Sequence, residues 1–192
     1  MIYVSIDLET TGLVPSEHHI IEMGAVLHLP GVPVDDLPTF RALVVRETYA
    51  VNPYCAGMHR ALFAEVASKA AAFEGNSVGW EGAGRCLVDP FSLLPSFLGW
   101  LEGHGMSGKL NLAGKNILGF DIPFLAELPN FGMLDYRHRV LDPAILFVRP
   151  GDSGLPGLSL CCERAGIEVA GLHTAVADAL MVVRLLRVGL GG

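Results

Sequence analysis

Apolar residues in the first quarter of the chain fall into three short runs. Residues 1–8, 19–29 and 39–45 are rich in aliphatic and β-branched side chains, and prolines, aspartates and a glycine occupy residues 30–38. Runs of this length with brief, turn-forming connections are typical of β-strands. The pattern therefore predicts three strands that form an antiparallel meander.

The spacing of apolar residues becomes helical after residue 52. Asn52 can cap a helix, Pro53 suits a first turn, and apolar side chains recur at helical intervals from Met58 to Val66. Further helices are predicted at residues 89–102, from about Asp121 onward, at 158–165 and at 175–188, with short strands at 109–114 and 138–143. Three strands followed by helices and two further strands, with a C-terminal helix pair, predict an α/β fold, in which helices cover a mixed sheet.

The length and composition favour a single domain over residues 1–192. Hydrophobic residues make up 51% of the chain and charged residues 17%, which indicates a compact globule with a substantial core. The glycine-rich residues 74–84 predict an exposed loop that is too short to separate two domains.

Several features of the chain favour a cytoplasmic location. No apolar run reaches the roughly 18 residues that a membrane-spanning helix needs. Asp7 and Glu9 interrupt the apolar start and no basic region precedes it, so no signal peptide is predicted. The four cysteines form no C-x-x-C pair, which favours free thiols in a reducing compartment over a disulfide or a zinc site.

The formal net charge of -7 is unusual for a protein that binds polyanions. If the chain handles nucleic acid, bound cations or a local basic patch must offset its acidic average. Lys109, Lys115, Arg137 and Arg139 are candidates for such a patch. They fit equally well as solvated surface charges.

Two carboxylates end the first predicted strand. Asp7 and Glu9 are two residues apart, so their side chains project from the same face of a strand and repel each other. A hard divalent cation such as Mg²⁺ accepts paired carboxylate oxygens and would remove the repulsion. The alternative is that the strand ends before Asp7 and that both carboxylates are solvated.

Two further aspartates stand near predicted helix starts. Asp121 follows the predicted strand at 109–114, where an ordinary role is to cap the next helix. Asp178 lies one turn into the apolar C-terminal helix, so it needs a partner or a solvated face. Inside one helix, His173 and Asp178 would point about 140° apart. They converge only if His173 precedes the helix, with Thr174 as the N-cap.

The order of these residues resembles the motifs of a known enzyme family. Residues 7–12 (DLETTG), 116–121 (NILGFD) and 173–178 (HTAVAD) resemble the three motifs of the DEDDh 3′→5′ exonucleases, within the ribonuclease H-like superfamily. This family includes polymerase proofreading subunits, oligoribonuclease and ribonuclease T. Residues 19–26 are also similar to the family's second strand, and the resemblance extends from residue 4 to about residue 181.

The resemblance implies a fold and a catalytic machinery. The fold would be a three-layer ribonuclease H-like fold, with a central mixed five-stranded sheet flanked by helices. Asp7, Glu9, Asp121 and Asp178 would hold two divalent ions, Mg²⁺ or Mn²⁺. His173 would be the general base, whereas without the motif it would be a surface histidine near a helix start.

The resemblance also implies substrate contacts and an activity. Backbone amides of Thr10, Thr11 and Gly12 would lie near the terminal nucleotide, Leu13 would wedge against its base, and Asn116 would lie near the site. The expected reaction is hydrolysis of phosphodiester bonds at the 3′ ends of single-stranded DNA or RNA, with release of nucleoside 5′-monophosphates.

Other functions and partners stay open at this point. The same fold could serve as a non-catalytic nucleic-acid-binding or polymerase-associated module. The scarcity of basic residues also suits a phosphodiesterase that acts on small nucleotides. Relatives that self-associate or dock on a polymerase or repair protein make a homodimer or such a complex a further expectation.

Overall fold

A computed structural model of the chain describes residues 1–70, 73, 79–80, 84–168 and 174–191. Within these residues, six strands form one mixed sheet: Tyr3–Thr10 (β1), Ile20–His28 (β2), Thr39–Val44 (β3), Gly79–Trp80 (β4), Arg85–Val88 (β5) and Leu112–Ala113 (β6). Their spatial order is β4-β5-β3-β2-β1-β6. The β1–β6 and β3–β5 pairs are parallel, and the other neighbours are antiparallel.

Helices cover both faces of this sheet. They are Pro53–Met58 (α1), Arg60–Ala70 (α2), Leu93–Gly103 (α3), Asp121–Ala126 (α4), Ala144–Phe147 (α5), Leu158–Ala165 (α6) and Ala175–Gly189 (α7). In the part of the chain that the structure describes, no helix combines the length and the apolar character needed to cross a membrane.

The sequence predictions of an antiparallel meander and of a mixed sheet between helices are confirmed. The two-residue strand β4 extends the five principal strands at one edge. The prediction of a loop at 74–84 is wrong for Gly79 and Trp80, which pair with the unpredicted β5. The other residues of that stretch, apart from Gly84, lie outside the described residues.

Three predicted boundaries shift for identifiable local reasons. The helix expected from residue 89 begins at Leu93, because the Asp89 carboxylate accepts the Ser92 N–H at 2.8 Å and holds a turn. The helix expected from Pro53 is interrupted at His59, between α1 and α2. The strand expected at 138–143 is reduced to an isolated bridge between Leu141 and Ala113.

Alternation along β1 divides the core into two layers. Val4, Ile6 and Leu8 pack in the larger core, with α3 and α4, whereas Tyr3 packs with residues of α7. Asp7 has the same parity as Tyr3, so it belongs to the α7 face of the sheet. The acidic end of β1 is therefore aimed toward the last helix.

A glycine allows α7 to approach that face closely. Gly24 is directly opposite Asp7 in the β1–β2 ladder. A Cβ at Gly24 would lie 2.2 Å from the carbonyl carbon of Ala175 and 2.2 Å from the amide nitrogen of Val176. Only a residue without a side chain permits this contact, which places the first turn of α7 over the carboxylates of β1.

The expectation of free thiols is also confirmed. Cys55, Cys86, Cys161 and Cys162 are all free and buried. Burial raises the pKa of the Cys86 thiol to about 12. Thiols of this kind behave as small apolar core residues rather than as nucleophiles.

Candidate active site

Three of the predicted metal ligands converge at the end of β1. Asp7 and Glu9 come from β1, and Asp178 comes from the first turn of α7. One ligand oxygen from each residue lies within 4.8 Å of the other two. Helix α7 starts where the sequence predicts, because the Thr174 Oγ1 accepts the Ala177 N–H at 3.2 Å and caps it.

Asp121 lies beside this cluster. It is the first residue of α4 rather than its cap, which is Phe120, and it is 2% exposed. Its Oδ1 accepts the backbone N–H of Leu8 at 3.0 Å, so the carboxylate contacts β1 between the two acidic residues of that strand. Burial raises the pKa of Asp121 to about 7, although backbone hydrogen bonds from Asp121 and Leu8 act in the opposite direction.

Burial and mutual repulsion dominate the electrostatics of the site. Burial is the largest cause that raises the pKa of Asp7 well above its usual range, followed by the charges of Asp121 and Asp178. Burial and then the charge of Glu22 raise the pKa of Glu9 to about 8. Burial and neighbouring negative charge disfavour ionisation of Asp7 and Glu9, and carboxylates in such surroundings form a strong site for a cation.

These raised pKa values predict an unusual pH dependence for the metal-free protein. Carboxyls in the unfolded chain titrate at about pH 4, whereas the folded-state pKa of Glu9 is about 8. Between these two pH values the carboxyls of the site bind more protons in the folded state than in the unfolded state. The free energy of unfolding should therefore decrease as pH rises through this window. We expect a lower melting temperature at pH 8 than at pH 5.5 in EDTA, and a larger rise on adding Mn²⁺ at pH 8.

Thermal melts of the stripped protein at both pH values, with and without Mn²⁺, check this expectation. Asp7→Asn is the control, because it removes one charge from the cluster and should flatten the difference. A metal-free melting temperature that is equal or higher at pH 8 would contradict the expected coupling.

The loop after β1 is held by its own hydrogen bonds. The Thr10 hydroxyl donates to the Gly12 carbonyl at 2.7 Å, and the Thr11 Oγ1 accepts the His19 N–H at 2.8 Å. Both hydroxyls are therefore engaged within the protein. Leu13 is 73% exposed, so its side chain is accessible at the position where the sequence predicts a contact with a base.

Asn116 forms the turn between β6 and α4. Its φ of 57° lies in the left-handed region that asparagine tolerates better than most residues. Its N–H donates to the Asp142 Oδ2 at 2.9 Å, and its carbonyl accepts the N–H groups of Gly119 and Phe120. In the structure, Asn116 therefore shapes the turn that leads to Asp121.

The cations of the candidate basic patch lie at opposite ends of the strands. Lys109, Arg137 and Arg139, with His138, line a groove of about 300 Å³. Lys109 precedes β6, which runs parallel to β1, so this groove lies toward the opposite end of the strands from the carboxylates. Lys115 follows β6 and lies at the other end. These cations do not form one patch beside the acidic cluster.

Two residues near the cluster have no role in the sequence predictions. His59, which is 6% exposed, places its Nδ1 3.5 Å from the Glu9 Oε2. Glu22 is directly opposite Glu9 in the β1–β2 ladder. Glu22 had a signal in the sequence, as an acidic residue inside the apolar run 19–29, whereas the segment that contains His59 matched no motif.

His173 lies outside the described residues. The adjacent Thr174 caps α7 as the sequence predicts. The role of His173 as a general base stays a prediction.

The fold of the chain is shared with solved structures, although its sequence matches no family. No protein-family model and no curated protein matches the sequence. The structure nevertheless has the ribonuclease H-like fold of DEDDh exonuclease domains.

Particular solved structures share this fold at low sequence identity. The nuclease domain of 3′hExo, a DEDDh family member bound to rAMP, is 18% identical over 99% of this chain and 92% of its own, with a TM-score of 0.66. E. coli Exonuclease I with a dA16 oligonucleotide is 16% identical over 97% of this chain, with a TM-score of 0.60. The zinc-bound E. coli ExoI–ssDNA complex is 15% identical over 97% of this chain, with a TM-score of 0.61. This chain covers 40% of the length of Exonuclease I.

Proposed function

We propose that the protein is a metal-dependent 3′→5′ exonuclease. It would hydrolyse the terminal phosphodiester bond of single-stranded DNA or RNA and release nucleoside 5′-monophosphates. The observation that carries this proposal is the convergence of Asp7, Glu9 and Asp178 from separate elements, with Asp121 alongside, in a fold shared with exonuclease domains.

The donor set suits divalent metal ions with a preference for oxygen. Buried carboxylates that repel one another are stabilised by Mg²⁺ or Mn²⁺, which accept several carboxylate oxygens. Asp7, Glu9, Asp121 and Asp178 would hold two such ions. When bound, the ions would supply an acidified water and stabilise charge on the leaving oxygen.

The residues of the chain would orient the substrate and move the proton. The rigid loop of Thr10, Thr11 and Gly12 would present backbone amides to the terminal nucleotide, and the exposed Leu13 would contact its base. His173 would accept the proton of the attacking water.

The solved relatives support this assignment of ligands. The 3′hExo nuclease domain was crystallised with rAMP, and E. coli Exonuclease I was crystallised with a DNA oligonucleotide and in a zinc-bound form. A mononucleotide product, a single strand and a divalent cation are the ligands that the proposal assigns to this chain.

Labelled substrates test the proposal directly. We expect Mg²⁺ or Mn²⁺ to support release of labelled mononucleotide from a 3′-labelled single strand, and stepwise shortening of a 5′-labelled strand. Parallel reactions on DNA, RNA and dinucleotides measure the preferred substrate. Activity that persists in excess EDTA, or release from the 5′ end, would contradict the proposal. Cleavage restricted to dinucleotides would indicate a small-nucleotide phosphodiesterase.

A further inference from the structure

Glu22 is a buried carboxylate to which the proposed mechanism assigns no task. Its side chain is 0% exposed, and it lies directly across the β1–β2 ladder from Glu9. Its charge is the largest electrostatic contribution to the raised pKa of Glu9. A carboxylate opposite Glu9 adds to the repulsion among the candidate metal ligands. The presence of Glu22 is explained if its carboxylate stabilises another part of the structure.

Arg41 and Glu65 hold Glu22 from the side away from the metal ligands. The Arg41 Nε donates to the Glu22 Oε1 at 2.6 Å. The two terminal nitrogens of Arg41 donate to the two carboxylate oxygens of Glu65, each at 2.8 Å. This paired geometry matches the rigid fork of a guanidinium group. Glu22 is thus fixed by an arginine that is itself anchored on α2.

The start of α7 also lies close to Glu22. Glu22 and Gly24 are on the same face of β2, and Gly24 contacts the backbone of Ala175 and Val176. Burial raises the pKa of Glu22, while its bond to Arg41 and the nearby backbone N–H of Ala175 lower it. Among the residues that the structure describes, none donates a hydrogen bond to the Glu22 Oε2. Its attraction to the helix start is therefore electrostatic rather than a single ideal bond.

The first amides of a helix lack partners within the helix and carry partial positive charge. A buried carboxylate beside them stabilises the helix start in one place. Asp178 follows Ala175 by three residues, a rise of about 4.5 Å along the helix. Any displacement of the helix start moves this carboxylate relative to Asp7 and Glu9.

We propose that Glu22 is a positioning residue of the metal site, which clamps the start of α7 to β2 and so holds Asp178 beside Asp7 and Glu9. This inference rests on the proposed function. It differs from a role as a ligand, because the Glu22 Oε1 is occupied by Arg41 and the oxygens that converge belong to the other three residues.

Two matched substitutions test the inference by metal binding rather than by activity alone. Glu22→Gln removes the inner carboxylate, and Glu65→Gln removes the outer one from the same arginine. The free Mn²⁺ signal in electron paramagnetic resonance gives affinity and stoichiometry, and melts in EDTA give stability.

We expect Glu22→Gln to weaken Mn²⁺ binding by about 10–100-fold, the usual scale for groups that orient metal ligands. Saturating Mn²⁺ should restore turnover. Glu65→Gln keeps one oxygen for Arg41 and leaves the bond from the Arg41 Nε to Glu22 in place, so it should keep wild-type affinity.

Glu22→Asp separates position from charge. It keeps the negative charge but is one methylene shorter, so it should also lose affinity if position matters. Wild-type affinity in Glu22→Asp alongside weak binding in Glu22→Gln would overturn positioning in favour of charge alone. Loss of one of two bound ions in Glu22→Gln, even at saturating Mn²⁺, would make Glu22 a ligand and overturn the inference.

Other outcomes are equally decisive. Unchanged Mn²⁺ affinity in Glu22→Gln, with a wild-type chain that binds Mn²⁺ and releases mononucleotides, overturns the positioning role and leaves the proposed function intact. A wild-type chain that binds no Mn²⁺ overturns both. If Glu22→Gln does not fold, Arg41→Lys tests the same clamp, because it removes the Nε that donates to the Glu22 Oε1 and should also weaken Mn²⁺ binding. Unchanged affinity there would again overturn the role.

Discussion

Replacing Asp7 with asparagine is expected to abolish metal-dependent release of mononucleotides. Burial is the largest cause that raises the pKa of Asp7, followed by the charges of Asp121, Asp178, Glu9 and Glu22, so Asp7 lies where four neighbouring carboxylates concentrate negative potential. Asparagine keeps the shape but supplies no charge for a cation. Even groups that only orient a ligand cost about 10–100-fold when removed, so a ligand itself should cost more than about 100-fold.

Calorimetric titration with Mn²⁺, beside the rate of release from a 3′-labelled strand, measures this loss. His173→Ala is the contrasting variant. It should bind Mn²⁺ like the wild type but turn over at least about 100-fold more slowly, the scale expected for loss of a general base. Rapid, metal-dependent cleavage by Asp7→Asn would contradict the assignment of the carboxylate cluster as the active centre.

The parts of the site that the sequence predicted follow from local rules. Asp7 and Glu9 share a face because side chains alternate along a strand, and this holds wherever the strand pairs. Thr174 caps α7 because its hydroxyl reaches an amide three residues ahead. Such relations depend on residues close in sequence, so they can be inferred before the fold is known.

The parts that the sequence did not predict depend on long-range contacts. Only the motif resemblance predicts Asp121 as a metal ligand, and the bond of its carboxylate to Leu8, which is 113 residues away, does not follow from its neighbours in sequence. Glu22 meets Arg41 only because β2 and β3 pair in a particular register. Strand β5 has four residues and pairs in parallel with β3, so neither its length nor a hairpin turn marked it. Each of these relations depends on which distant segments of the chain pair or pack together.

Gly24→Ala is expected to damage the metal site without changing any polar group. The added Cβ would lie 2.2 Å from the backbone of Ala175 and Val176, and backbone cannot rotate away as a side chain can. The start of α7 must move, or the strand must bend, and either response separates Asp178 from Asp7. Overpacking of this kind typically costs about 1–3 kcal/mol of unfolding free energy. Mn²⁺ affinity should fall with it.

Gly99→Ala is the matched control, because Gly99 lies within α3 and a Cβ there would meet no described residue within 4 Å. Since alanine favours a helix interior over glycine by roughly 0.5–1 kcal/mol, this control should be neutral or stabilising. Urea denaturation in EDTA measures stability, and Mn²⁺ titration of the folded variants measures the site. If Gly24→Ala loses stability but keeps wild-type Mn²⁺ affinity, the close contact serves the core alone. If affinity falls as well, the same contact that packs α7 onto the sheet also places its carboxylate.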